Sequence, residues 1–382
     1  MKRRLYEEEH EFFRDTFRKF IKEEIAPHYE SWEKQGHVPR EIYLQAGAQG
    51  FLCPTADEKY GGAGADFRYA AIVAEELYFH SFPGVFFPLH SDIVFPYLEN
   101  FANEEQMAKW APGCISGEHV LALAMTEPDA GSDLAAQRMK AELKEDKYVL
   151  NGAKTFISNG QIADLYIVSA RTSSELGKPH RGISLFVVEA DRPGFQRGRN
   201  LEKIGFHAQD TSELSFEDCE IPKENLLGQE GEGWRYLMEN LQQERLVLAI
   251  GAAAAADSCV QMTRDYVLER EAFGKPLAAQ QNTRFTLAEC ATQVQLAYSF
   301  LDDLIPRHMV GETLIQEVSM AKYWITDTQS SVADRCLQLF GGYGYMTEYP
   351  ISRQYVDARV QRIYGGANEV MKELIARGIL GK

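Results

Sequence analysis

The chain has 382 residues, 45% hydrophobic and 25% charged, the composition of a globular protein able to bury a large core in two or three domains. Against 40 basic residues stand 56 acidic ones, and the net charge of -16 disfavours nucleic acid and anionic lipid as partners, so a polyphosphate ligand needs a local basic pocket. MKRRLYEEEHEFF lacks an apolar signal core, no uninterrupted apolar run reaches membrane-spanning length, and six scattered cysteines form no CxxC pair; the expectations are a cytoplasmic protein, no membrane insertion and no metal.

Residues 1–120 read as helices. In the first, Phe13, Phe17, Phe20, Ile21 and Ile25 share one apolar face, and Pro27 ends the segment. Glu7 and His10 make a single Glu-x-x-His pair where a di-iron bundle requires two, so the pair is read as a solvated face. A second helix starts near Pro39, which suits a first helical position. Gly61, Gly62 and Gly64 follow no strand and lack the third glycine of a dinucleotide loop, so they read as a turn before the helical AAIVAEELYF. The run from Ser81 to Tyr97, SFPGVFFPLHSDIVFPY, is too broken for a strand and too apolar for a free loop. It suits the lining of an apolar pocket.

Residues 121–230 change period. LYIVSA, ISLFVVEA and TSELSFEDCEI are β-branched or aromatic runs, and Asn151-Gly152 is a turn signal between strands. No helical segments alternate with them, which points to a mostly antiparallel β domain rather than a Rossmann layout.

Residues 231–382 return to helix: Trp234 to Leu268, Ala279 to Ile305, Glu312 to Leu339 and a last one from about Glu369. In the first of these Leu237, Leu241, Glu244 and Leu248 fall on one line, so a carboxylate sits inside an apolar stripe. Arg245 is displaced about 100° around the helix and cannot neutralise it face to face. Burial raises a lone carboxylate's pKa by up to ~3 to 5 units, so either a long-range ion pair satisfies Glu244 or its proton affinity is used. The helix alone leaves both open.

Four stretches carry more polar chemistry than structure needs. AMTEPDAGSD (124–133) places Thr126 and Ser132 in a loop at the entry to the β domain, and KTFISNG (154–160) adds Phe156 and Ser158, two apart and so on one face of a strand. REAFGKPLAAQQ (270–281) supplies Arg270 and Gln281, and QLFGGYGYMTEYP (338–350) supplies Gln338 and a Gly341-Gly342 turn open to close approach by a diphosphate. Each alone has an ordinary structural reading: a strand phenylalanine is usually core, and a Gly-Gly turn is usually only a turn.

In this order and at these separations, the four stretches resemble the acyl-CoA dehydrogenase family over nearly the whole chain. The resemblance implies an N-terminal helical domain (1–120), a middle antiparallel β domain (121–230) and a C-terminal four-helix domain (231–382), mainly α overall. It implies FAD as cofactor: Leu123, Met125, Thr126, Phe156 and Ser158 around the flavin, Ser132 where flavin and acyl-CoA meet. Arg270, Phe273, Gln281, Gln338, Gly341, Gly342 and Glu369 complete the cofactor set, the ADP half being held from a neighbouring subunit of a homotetramer or homodimer.

Many family members carry their base in a C-terminal Tyr-Glu-Gly-Thr, but here that stretch is Tyr364-Gly365-Gly366-Ala367. Gln243-Glu244-Arg245-Leu246 instead matches the members, similar to long-chain and isovaleryl-CoA dehydrogenases, whose base is on the helix, which implies Glu244 as catalytic residue. Gln242, Arg245, Tyr364 and Gly365 are then expected on the substrate, with Gln242 and Arg245 towards the CoA. GISLF (182–186), AQDTSEL (208–214) and IYGGANEVMKELIAR (363–377) look most like the long-chain members; Ala367 departs from their threonine. The implied function is α,β-dehydrogenation of acyl-CoA in fatty-acid β-oxidation, with electrons passed to an electron-transferring flavoprotein. Alternatives are an acyl-CoA oxidase using oxygen, a branched-chain (isovaleryl- or citronellyl-type) dehydrogenase, a flavin monooxygenase of the same fold, and a non-enzymatic helical scaffold.

Overall fold

Apolar spacing sets the first helices. Phe17, Phe20, Ile21 and Ile25 are all buried, on α1 (Glu8–Phe20) and the π-helical turn Ile21–Ile25 that continues it. The computed structural model describes residues 3–174, 178 and 180–381. After α1 come α2 (Tyr29–Gln35), α3 (Arg40–Ala48), α4 (Phe67–Phe79), a π-helical turn Leu89–Val94, α5 (Phe95–Phe101) and α6 (Glu104–Ser116). Pro39 is the N-cap of α3 rather than its first residue, and Gly61 (φ 95°) ends a short turn as expected. Glu7 is exposed, but His10 is not on a solvated face. They form the capping box of α1, with His10 Nδ1 accepting the Glu7 N–H at 3.2 Å and its ring wholly buried.

The strands are β1 (Leu121–Ala124), β2 (Lys140–Lys144), β3 (Lys147–Ser158), β4 (Leu165–Arg171), β5 (Ile183–Glu189), β6 (Phe195–Asn200), β7 (Thr211–Pro222) and β8 (Leu226–Leu227). They form one sheet in the order β6-β7-β3-β2-β4-β5-β8, with β1 parallel to β4 and most other pairs antiparallel. Asn151-Gly152 is not a turn. The pair lies inside β3 at a register shift against β7, and the Asn151 side chain bonds Asp218 across the ladder; the β2–β3 turn falls at Glu145 and Asp146.

Helix resumes with α7 (Gly233–Glu269), then a hairpin of β9 (Glu271–Ala272) and β10 (Lys275–Pro276), α8 (Gln281–Met309), α9 (Ile315–Phe340), α10 (Pro350–Gln361) and α11 (Asn368–Leu380). The C-terminal part thus has five described helices rather than four. The additional one, α10, buries Gln354, Asp357 and Gln361 beside Ile351 and Ala358, so its inner face is too polar to show hydrophobic periodicity. Those polar groups are used: Gln354 donates to the Tyr78 carbonyl at 3.1 Å, and Asp357 accepts the Phe206 N–H at 2.6 Å.

By length and composition α7 is apolar enough to cross a membrane, yet 83% of its most apolar window is buried inside the protein, as in the core helix of a soluble fold. Ala252 to Ala256 are all buried, and at Gly251 a side chain would meet the Tyr78 ring of α4 at 2.8 Å. Small residues therefore let α4 approach α7 closely. One apolar core joins α4 and α5, the inner face of β4 and β5, and α7 to α9. It places α7 where all three layers meet.

Lys154 of β3 is only 1% exposed. Its ammonium donates to the Met125 carbonyl (2.9 Å), Glu127 Oε1 (2.9 Å), Gln137 Oε1 (3.1 Å) and Ser169 Oγ (3.3 Å), while Glu127 also accepts the backbone N–H groups of Arg138 and Met139. Burial pulls the ammonium down to about 8 against the raising effect of Glu127. The pair fixes the loop that leaves β1. Removing one partner of such a pair costs about 3 to 5 kcal/mol because the other charge stays buried, so Lys154→Met should lower the thermal midpoint clearly. A midpoint unchanged within about 2 °C would mean that Glu127 is satisfied without the lysine.

Candidate active site

The stripe on α7 exists as the spacing requires: Leu237, Leu241, Glu244 and Leu248 are all buried, Glu244 with 4% of its surface exposed. No cation bonds its carboxylate among the described residues. The Tyr97 hydroxyl of α5 donates to Glu244 Oε1 at 2.7 Å. Burial pushes the carboxyl up to about 7, against the lowering effects of that hydrogen bond and of the Arg245 charge.

Arg245 reaches the turn that precedes α11. It is buried, and its Nε donates to the Gly365 carbonyl at 3.2 Å. Beside it the ammonium of Lys322 on α9 donates to the Gly366 carbonyl (2.7 Å) and Asn368 Oδ1 (2.9 Å). Burial first, then the Arg245 charge, brings Lys322 down to about 7. Arg245, expected towards the CoA, thus has its Nε on the Gly365 carbonyl. Two buried cations hold the turn 364–368, Arg245 to α7 and Lys322 to α9. Gln242 is likewise committed: its Oε1 accepts the Leu314 N–H at 2.6 Å and its Nε2 donates to the Glu312 carbonyl at 3.0 Å, tying α7 to the α8–α9 connection.

That turn forms one wall of the site. Gly365 has φ 62° and lies so close to α7 that a side chain there would meet Leu248 Cδ1 at 2.3 Å, so the position used elsewhere for a base faces the same stripe as Glu244. The Tyr364 hydroxyl donates to Gln361 at 2.9 Å and lies 3.1 Å from that of Tyr78, and its ring lies 6.3 Å from Phe86. Within the apolar run Phe86 thus faces the site. Phe87 packs on Tyr43 and Phe82 on Tyr29, away from it.

On the sheet, Leu123 ends half-buried in β1, followed by half-buried Met125 and Thr126, whose carbonyl accepts the Thr155 N–H at 2.9 Å. Phe156 does not sit in a regular strand. The register shifts between Lys154 and Ile157, Phe156 takes φ 58° and its ring is 67% exposed, while Ser158 is half-buried beyond the bulge. A left-handed, exposed phenylalanine is strained in a way that cores do not require. Ser132 is exposed at the end of the loop after Thr126.

A second set is borne by other elements. Phe273, in the hairpin after α7, has φ 55° and is 97% exposed. Arg270 lies over the Tyr343 ring at 5.5 Å, Gln281 begins α8 and Gln338 lies near the end of α9, both exposed. Gly341 has φ 61°, and neither it nor Gly342 has a heavy atom within 4 Å of where a side chain would begin, so the backbone is open to close approach. Glu369 is exposed in the first turn of α11, whose N-cap is Ala367, without the hydroxyl a threonine would bring.

The site residues not foreseen are Tyr97, Lys154, Glu127 and Lys322. Lys322 had a signal: it lies between Val318 and Ile325 on a buried face of α9. Tyr97 closes the aromatic run that suited a pocket lining, but nothing in sequence pairs it with a residue 147 positions away.

Models of the acyl-CoA dehydrogenase N-terminal, middle and C-terminal domains match residues 7–118, 122–219 and 231–380. The chain is 48% identical over 378 residues to the mitochondrial long-chain specific acyl-CoA dehydrogenase of Sus scrofa, covering 99% of this chain and 88% of that one. It superposes on a crystal structure of acyl-CoA dehydrogenase from Geobacillus kaustophilus with TM-score 0.96, 52% identity and coverage of 99% and 100%. An acyl-CoA dehydrogenase from Bacillus anthracis complexed with FAD is similar at TM-score 0.92 and 30% identity, over 99% of this chain and 68% of that one.

Glu244 has a consequence for stability. Its pKa is raised by folding from 4.5 to about 7, so its contribution is fully present below pH 4.5 and is lost as pH rises through 7. Glu244→Gln keeps an acceptor for Tyr97 and removes this titration. The variant should therefore gain stability over the parent between pH 5 and pH 8, by about 3 kcal/mol. Parallel melting curves at the two pH values check it, and an identical difference at both would show that Glu244 ionises as easily folded as unfolded.

Proposed function

The chain belongs to the acyl-CoA dehydrogenase family, and we propose that in its reaction Glu244 is the base that removes the substrate's α proton. The reaction is FAD-dependent α,β-dehydrogenation of an acyl-CoA thioester to the enoyl-CoA, with electrons passed on to an electron-transferring flavoprotein. The observation that carries the assignment is the buried carboxylate of Glu244, bonded by one neutral hydroxyl and pushed up to about 7 by burial. An α C–H beside a thioester is a weak acid, and a desolvated carboxylate is a better match for it than an exposed one.

The residues present fit FAD. Half-buried Thr126 and Ser158 offer hydroxyls beside the strained, exposed Phe156 ring, and Gly341 and Gly342 leave backbone open beside the Arg270 cation. Thr126, Phe156 and Ser158, with Leu123 and Met125, would hold the flavin; Arg270, Phe273, Gln281, Gln338 and the two glycines would hold the ADP end. When bound, FAD accepts the β hydrogen as hydride. The chain's own residues do the rest: Lys154 fixes the Met125–Glu127 loop, Arg245 and Lys322 hold the Gly365–Gly366 turn, and the packing of α4, α5 and α7 keeps water from Glu244.

Assembly as a homotetramer or homodimer is part of this reading. It is supported by Phe273 and Tyr345, 97% and 84% exposed beside the ADP-end residues, where a second copy would cover them. A cytoplasmic setting is supported by six cysteines that are free and buried. Straight-chain substrates of medium to long length are favoured, a reading supported by the likeness to the long-chain relative.

Glu244→Gln should fold, load FAD and lose roughly 10² to 10⁴ in turnover, the contribution of a general base. Turnover within about threefold of the parent removes Glu244 from the mechanism. Across a series from butyryl- to stearoyl-CoA, kcat/KM should rise severalfold per two carbons until the pocket ends, at about 0.8 kcal/mol per buried methylene, and Phe86→Ala should move the maximum to longer chains. A maximum at butyryl- or isovaleryl-CoA contradicts the long-chain reading.

A further inference from the structure

A carboxylate base has to present one oxygen to the substrate in a fixed direction, yet a glutamate side chain has three rotatable bonds. Something must hold it. Leu241 and Leu248, the stripe residues on either side, are apolar, and Arg245 beside it is taken by the Gly365 carbonyl. The donor comes from another domain: the Tyr97 hydroxyl reaches Glu244 Oε1 at 2.7 Å. Tyr97 is wholly buried, and its hydroxyl makes no other hydrogen bond among the described residues. Its ring is wedged at the start of α5, 6.3 Å from Phe101, which in turn stacks on Tyr236 of α7 at 4.0 Å. The ring is thus fixed by the same helix pair whose carboxylate it binds. No hydrogen bond reaches Glu244 Oε2 among the described residues.

We propose that Tyr97 is a positioning residue for the base: its hydroxyl takes Oε1 and orients the carboxylate so that Oε2 is left to receive the α proton. The inference rests on Glu244 being the base. In the step it serves, the Cα–H bond breaks, an Oε2–H bond forms and the electron pair stays with the acyl group, from which a bound FAD would take the β hydrogen as hydride.

The same hydrogen bond tunes the base. It favours the ionised carboxylate, so it opposes burial and sets how far up the pH scale Glu244 remains a base. Other titratable groups around this part of α7 are engaged elsewhere. Lys322 of α9 bonds the Gly366 carbonyl, His308 of α8 contacts Gln242 and Gln243, and Tyr364 donates to Gln361. Asp92, whose carbonyl accepts from Gln243, and Glu99 of α5 are carboxyls that burial itself pushes up. Arg245 acts on Glu244 through charge alone, without a hydrogen bond.

The experiment is the pH profile of kcat/KM for FAD-loaded Tyr97→Phe and wild type with one saturated acyl-CoA and an artificial electron acceptor, beside Glu244→Gln. Losing a hydrogen bond to a charged group should move the acid limb upward by roughly one to two pH units. A purely structural role would scale the curve down without moving it. A limb that stays in place, while Glu244→Gln is inactive, overturns the Tyr97 proposal and leaves the base intact; an active Glu244→Gln overturns the base itself. Stability supplies a readout independent of turnover. Tyr97→Phe should destabilise more in the Glu244 background than in Glu244→Gln, and more so at pH 8 than at pH 5. If Tyr97→Phe does not fold but the double variant does, the same coupling is shown; if neither folds, Tyr97 is a packing residue and the proposal falls.

Discussion

One carboxylate with no cation to bind constrains the rest of this structure. Glu244 sits in an apolar stripe of α7, its sequence neighbour Arg245 points round the helix to a carbonyl, and a phenol from another domain is its hydrogen-bond partner. A cation in that place would form a stable, inert ion pair with a depressed pKa. A neutral donor leaves the proton affinity high while still satisfying one oxygen. To bury the group at all, α7 must be enclosed on several sides, which explains its run of small residues against α4 and the shared core with β4, β5, α8 and α9.

Buried cations do appear, and they are spent on backbone. Lys154 binds the Met125 carbonyl, Arg245 the Gly365 carbonyl and Lys322 the Gly366 carbonyl. In each case a positive group stiffens a loop at the edge of the site. The depressed pKa values of Lys154 and Lys322, about 8 and 7, are the cost of placing charge there. Side chains left exposed are of another kind: Phe156 and Phe273 hold left-handed backbone with their rings in the open.

Helical and strand periods were legible where one face is apolar and the other polar, so α1, α4, α7, β4, β5 and β7 followed from spacing. They failed where burial is polar. Helix α10 hides Gln354, Asp357 and Gln361 inside, and the Asn151-Gly152 pair looks like a turn but is a bulge pinned by Asp218. The site was legible as a set of residue types and only partly as directions. The burial of Glu244 followed from one helix, because a stripe is local. Arg245 and Gln242 bond backbone groups of other segments, and Tyr97 is bound across 147 positions of sequence, pairings that spacing along one element does not encode.

The most direct measurement of the central claim is exchange of the substrate's α hydrogen with solvent deuterium, followed by mass spectrometry, in FAD-loaded protein without electron acceptor. Proton removal is then read separately from oxidation. Wild type should exchange the α hydrogen, with a rate that rises as pH passes through about 7 and Glu244 ionises, and the Glu244→Gln protein should not exchange above the uncatalysed background. Exchange that persists in that variant at the wild-type rate would contradict the account, because another group would then be taking the proton.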